Sequence, residues 1–82
     1  MYSIEFSKIS KKFLDNLDKK ERIIIFEKIY SIRENPFRFL KRLQGQTLWR
    51  LRLKDYRAIV DVIVSGNKIV VLKIGHRKNV YK

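Results

Sequence analysis

Three strand-like segments joined by connections too short for anything but a reversal dominate the second half of the chain. Residues 47–53, 56–64 and 68–74 are rich in Val, Ile and Leu, and only Lys54-Asp55 and Ser65-Gly66-Asn67 separate them. Links of this length join antiparallel neighbours, because a parallel crossover needs a dozen or more residues. In the second link Gly66 is the residue expected to supply a positive φ. The segments therefore predict an antiparallel sheet of three to four strands.

Before Pro36 the pattern differs. Tyr2, Ile4 and Phe6 alternate with Ser3, Glu5 and Ser7, which predicts a short first strand. Ser7 or Ser10 fits the cap of a helix whose inner face is Ile9, Phe13, Leu14 and Leu17. Asp18 and Glu21 fit a capping box opening a second helix, with Ile25, Phe26, Ile29, Tyr30 and Ile32 facing inward. Asn35-Pro36 ends it, since a residue before proline leaves the helical region. With 82 residues at 45% hydrophobic there is material for one core. The expectation is a single α+β domain over residues 1–82, a two-helix hairpin covering one face of a curved antiparallel sheet.

Charge is divided unequally between these halves. Residues 1–35 carry eight Lys or Arg against six acids, whereas the remaining 47 residues carry twelve against Asp55 and Asp61 alone. Of the net +12, then, +10 lies with the strands, and a polyanion is expected to dock there. Apolar runs such as Ile23 to Phe26 fall far short of the roughly 18 residues of a membrane span, and the N-terminus does not read as a secretory signal. A cytoplasmic protein without membrane association is expected. The sequence has no cysteine, so disulfides, thiolate zinc sites and thiol nucleophiles are excluded.

Strand parity makes the polyanion surface specific. In the segment from Thr47, Trp49, Leu51 and Leu53 share one face while Leu48, Arg50, Arg52 and Lys54 share the other. Trp49 is expected in the core, and Phe37 and Phe39 are expected to pack the loop after the second helix. Like charges on neighbouring positions repel, so a cationic row opposite an apolar one fits a surface shaped for phosphate. The same row also fits a solvated outer face that discourages edge pairing. Arg57 follows across the tight turn, and Arg77 and Tyr81 follow the last strand, so turn and C-terminus are expected to converge beside the row.

These residues limit the chemistry. Two carboxylates in the basic half are too few for a metal pair, one histidine cannot form an imidazole pair, and the three glycines build no phosphate loop. No metal or cofactor is expected. A metal-free route on RNA remains, in which the substrate's 2′-hydroxyl attacks the adjacent phosphate. Arg50, Arg52 and Arg57 would offset charge on the phosphoryl oxygens. Tyr81, whose ordinary pKa of about 10 would fall beside cations, would take the 2′-hydroxyl proton. Arg77 or His76 would serve the leaving oxygen. Lys41, Arg42, Lys54, His76 and Lys78 are the expected RNA-binding surround.

Two runs carry a resemblance. Leu48-Trp49-Arg50-Leu51-Arg52-Leu53-Lys54-Asp55-Tyr56-Arg57 and Ile74-Gly75-His76-Arg77-Lys78-Asn79-Val80-Tyr81 resemble the RelE toxins of the RelE/ParE superfamily, and the order of elements agrees over essentially the whole chain. Arg50 and Arg52 fall where RelE toxins often carry lysines, Arg57 on their sheet arginine, and Arg77 and Tyr81 on their C-terminal arginine and tyrosine. The resemblance implies a toxin that enters the ribosomal A site and cuts mRNA, a monomer held inactive by an acidic RelB-like antitoxin. Charge complementarity points to the same partner. Two alternatives stand beside it. The ParE branch acts on DNA gyrase and generally lacks the arginine and tyrosine set; a non-catalytic RNA-binding protein would also explain the charge.

Overall fold

Alternation in Ser3-Ile4-Glu5-Phe6 produces β1 (Ser3–Phe6), with Ile4 and Phe6 half-buried, in the computed structural model, which describes residues 1–43, 45 and 47–77. Ser7 then caps α1 (Lys8–Asp15), its oxygen accepting the Ser10 N–H at 3.1 Å while its O–H donates to the Leu72 carbonyl at 2.7 Å. Ser10 is fully buried and donates to the Val71 carbonyl at 3.0 Å. Two hydroxyls thus tie the start of α1 to the last strand. They also explain why Ile9, expected inward, is 67% exposed. Ser10 takes the inward position one residue later, and the stripe runs on through Leu14 with Phe13 and Leu17 beside it.

Asp18 precedes α2 (Lys19–Ser31) but makes no side-chain cap bond. The expected capping box does not form because Glu21 is engaged elsewhere, accepting the Tyr56 hydroxyl at 2.8 Å. Ile25 and Ile29 are buried on α2, as is Ile32 at its end, and Phe26 packs edge-on against Phe6 with centroids 5.4 Å apart. Tyr30, expected inward, is exposed and lies alongside Phe26. Asn35 and Pro36 end the helix as expected, and Pro36–Arg38 forms a single 3-10 turn on a buried Pro36.

The remaining strands are β2 (Lys41–Arg42), β3 (Trp49–Leu53), β4 (Tyr56–Ile63) and β5 (Lys68–His76). Among the described residues the sheet has five strands in the order β1-β5-β4-β3-β2, not three to four. It is also mixed, because β1 runs parallel to β5, from Ser3 opposite Lys68 to Phe6 opposite Val71. Neither addition has a local signature: a two-residue strand shows no period, and the parallel pair forms only once the helices have carried the chain across the sheet. The β3–β4 turn is as tight as expected, with Lys54 at φ 64°. In the β4–β5 turn it is Asn67, at φ 50°, and not Gly66, that takes the left-handed conformation. Asparagine tolerates that region better than other side chains do.

A bulge sets the phase of β5. Val60 pairs with Val71 but Ile59 pairs with Lys73, so Leu72 is the extra residue. Ile69, Val71 and Ile74 therefore all reach the core, together with Leu51, Leu53, Ala58 and Val60 from the neighbouring strands and Leu14, Ile25, Ile29 and Ile32 from the helices. The same skip places Lys73 opposite Ile59 and Gly75 opposite Arg57, on the face of the sheet turned away from the core.

Candidate active site on the open face of the sheet

Alternate residues of β3 face away from the helices, and antiparallel pairing sets a neighbour opposite each. Arg50 and Arg52 are those residues; Lys41 of β2 lies opposite Arg50 and Arg57 of β4 opposite Arg52. These four side chains and the Phe39 ring line an open pocket of about 200 Å³. Among the described residues no carboxylate lines it. Directly opposed side chains start from Cβ atoms ~5 Å apart, and a like-charged pair there costs a few tenths to about 1 kcal/mol. An anion removes that penalty, and guanidinium forks match the oxygens of a phosphate two at a time.

Arg77 follows β5, and its backbone N–H donates to the Asp55 carbonyl at 3.1 Å, tying the end of β5 to the turn that separates Arg52 from Arg57. It is not among the described residues that line the pocket. Tyr81 and Lys78 lie outside the described residues.

Three of the other residues expected in the RNA-binding surround sit elsewhere. Arg42 pairs with Trp49 and holds its guanidinium 4.9 Å from the indole centroid, on the parity opposite to Lys41. Lys54 lines a second groove, against α2, with Ile24, Ile25, Lys28, Leu53 and Arg52. His76 has the core-facing parity of Tyr56, and their ring centroids are 4.8 Å apart. Trp49, expected in the core, is only half-buried; it packs against the core's edge and meets Phe37 edge-on at 5.1 Å.

Two residues of the open face escaped the sequence reading. Phe39 was expected only to pack a loop, yet Leu40 between Phe39 and Lys41 is the buried one, and that alternation puts Phe39 beside the cations. Lys73 faces outward only because of the bulge.

Tyr56 is the titratable group whose equilibrium the fold visibly moves. Its hydrogen bond to Glu21, then burial, then the nearby carboxylate charges hold the phenol above its ordinary 10.0. It stays protonated near neutrality and is unsuited to act as a base. Among the described residues no group of three or more His, Asp or Glu is placed to hold a metal ion, and no helix is long and apolar enough to cross a membrane.

Two helices on one face of a five-stranded sheet, with Lys41, Arg50, Arg52 and Arg57 together on the other, define a small basic α+β protein. Residues 4–81 match the profile of the ParE toxin of the type II toxin–antitoxin system parDE, and the chain belongs to that family, within the RelE/ParE superfamily. It is a type II toxin. Its fold is similar to that of the toxin–antitoxin complex RelBE2 from Mycobacterium tuberculosis, at 20% identity and a TM-score of 0.82 over 93% of this chain and 98% of that one. The archaeal RelE–RelB complex from Pyrococcus horikoshii matches at 28% identity and a TM-score of 0.80, over 95% and 97% of the two chains. The YoeB/ParE toxin from Agrobacterium tumefaciens matches at 20% identity and a TM-score of 0.75, over 94% and 99%. No curated protein sequence matches. The RelE-like fold expected from the two sequence runs is thus the fold observed.

Proposed function

We propose that this toxin is an endoribonuclease that cuts mRNA in the ribosomal A site and so stops translation. The observation that supports it is the meeting of Lys41, Arg50, Arg52 and Arg57, from three strands, around one pocket with no carboxylate among the described residues that line it. Such a pocket binds a phosphate and stabilises the extra charge of a pentavalent transition state. The substrate's 2′-oxygen forms a bond to phosphorus and the bond from phosphorus to the 5′-oxygen breaks, leaving a 2′,3′-cyclic phosphate and a 5′-hydroxyl. Tyr81, in the role the resemblance to RelE toxins implies, accepts the 2′-hydroxyl proton. Arg77 offsets charge on the departing 5′-oxygen, which takes its proton from water, since a guanidinium is too weak an acid. His76, exposed and with its ring tilted against Tyr56, is not assigned to the reaction.

The partners follow from the same surface. The complexes from Mycobacterium tuberculosis and Pyrococcus horikoshii pair a toxin with an antitoxin. An acidic antitoxin bound to a monomeric toxin would cover the cationic face here and keep it from ribosome and message in the cytoplasm.

A second reading, inhibition of DNA gyrase without cleavage of RNA, is favoured by the matching profile, which is that of ParE. One experiment separates them: translation of a reporter mRNA in vitro with the purified chain, cleavage mapped by primer extension, beside a gyrase supercoiling assay. Ribosome-dependent cuts with unimpaired supercoiling support the nuclease. Loss of supercoiling without cuts supports the gyrase reading, and neither effect leaves a plain RNA-binding protein.

A further inference from the structure

Of the five described residues that line the cationic pocket, Phe39 alone carries no charge. Its ring is 42% exposed although the adjacent Leu40 is buried, so the chain spends its inward position on the smaller residue and leaves the aromatic one at the pocket mouth. Burying apolar surface is favourable, and a ring left in water beside four cations calls for a ligand. The Lys28 ammonium stands 5.0 Å and the Arg38 guanidinium 5.9 Å from the ring centroid, so cations flank the ring as well as the pocket behind it. Nucleotides present this same pairing of a flat π surface with an anion one sugar away.

We infer that Phe39 is a stacking platform for the base of a nucleotide whose phosphate occupies the pocket, the ligand being single-stranded RNA. The inference rests on the nuclease reading above and adds to it the residue that orients the substrate. Stacking is tolerant of base identity but needs an unpaired base, so duplexes are rejected at this position. When a base stacks, Lys28 and Arg38 move from the ring to the flanking phosphates, which their long exposed side chains permit.

The test compares a fluorescent six-nucleotide RNA with an abasic ribose-phosphate chain of equal length, using the whole chain and anisotropy at fixed low salt. Wild type is expected to bind the intact RNA about tenfold more tightly than the abasic chain. Phe39→Leu, which keeps apolar bulk, is expected to erase that ratio, and Phe39→Trp to keep it, with melting temperatures unchanged. Arg52→Ala weakens both ligands alike. Absence of any preference in wild type, or an undiminished preference in Phe39→Leu, overturns the stacking role while leaving the pocket intact. If Arg52→Ala too binds RNA as wild type does, the nuclease reading fails with it.

Discussion

Arg52 and Arg57 face each other directly across β3 and β4, so two like charges start from opposed positions. Replacing Arg52 by Gln is therefore expected to raise stability by about 0.5 kcal/mol through relief of repulsion, read as a higher melting temperature. The same change is expected to slow RNA cleavage by about a hundredfold or more, the scale of losing one preorganised donor to a transition state. A stabilised variant with normal cleavage would show that the row is only a solvated surface. Arg42, on the other parity and over Trp49, is expected to change cleavage by less than about threefold, because a surface cation far from the reacting phosphate contributes mainly to general attraction. Tyr56 gives a pH signature of the fold. Its proton is held more tightly folded than unfolded, so unfolding releases a proton above the ordinary value of 10.0, and stability falls as pH rises from there through the raised folded value. Denaturant titrations between about pH 9 and 11 are expected to show that slope in wild type, a shallower one in Glu21→Gln and none from this group in Tyr56→Phe.

At the scale of elements, the β4–β5 turn offers a sharp contrast between neighbours. Gly66 is not in the left-handed region, and a Cβ added there would meet only the Ile63 Cγ2 at an ordinary 3.8 Å. Gly66→Ala is expected to be neutral or to stabilise by up to about 1 kcal/mol through the unfolded chain. Asn67→Val, at φ 50°, is expected to cost about 1–2 kcal/mol, both read by urea denaturation. The sequence favoured the glycine because glycine is the commoner left-handed residue; which of two turn residues takes the strain depends on strand register, which a single sequence does not reveal. The same limit explains the rest. Helix positions, tight reversals and the parity of Arg50, Arg52, Leu51 and Leu53 are written in local spacing and were legible. The bulge at Leu72, the parallel β1 and the two-residue β2 arise from contacts between distant segments, and with them came the errors at His76, Lys54 and Arg42. Ile9 was misplaced for a related reason, since only the sheet's carbonyls make an inward Ser10 favourable.

For the whole molecule, the helices and the core occupy one face of the sheet, and Lys41, Arg50, Arg52, Arg57 and Lys73 stand on the other. On the proposed function, message and an acidic antitoxin compete for that one surface. Affinity for single-stranded RNA is then expected to fall steeply with salt, with a slope of about 0.7 per phosphate neutralised, read by anisotropy over a salt series. In the proposed mechanism cations from separate strands hold one phosphate while the adjoining ribose attacks it, which is tested with ribosomes programmed with an mRNA carrying a single 2′-deoxynucleotide on the 5′ side of the mapped cut. Cutting at that linkage is expected to disappear while ribosome binding is retained, and the unmodified message is expected to yield a 2′,3′-cyclic phosphate end. Continued cleavage at the deoxy position would contradict it.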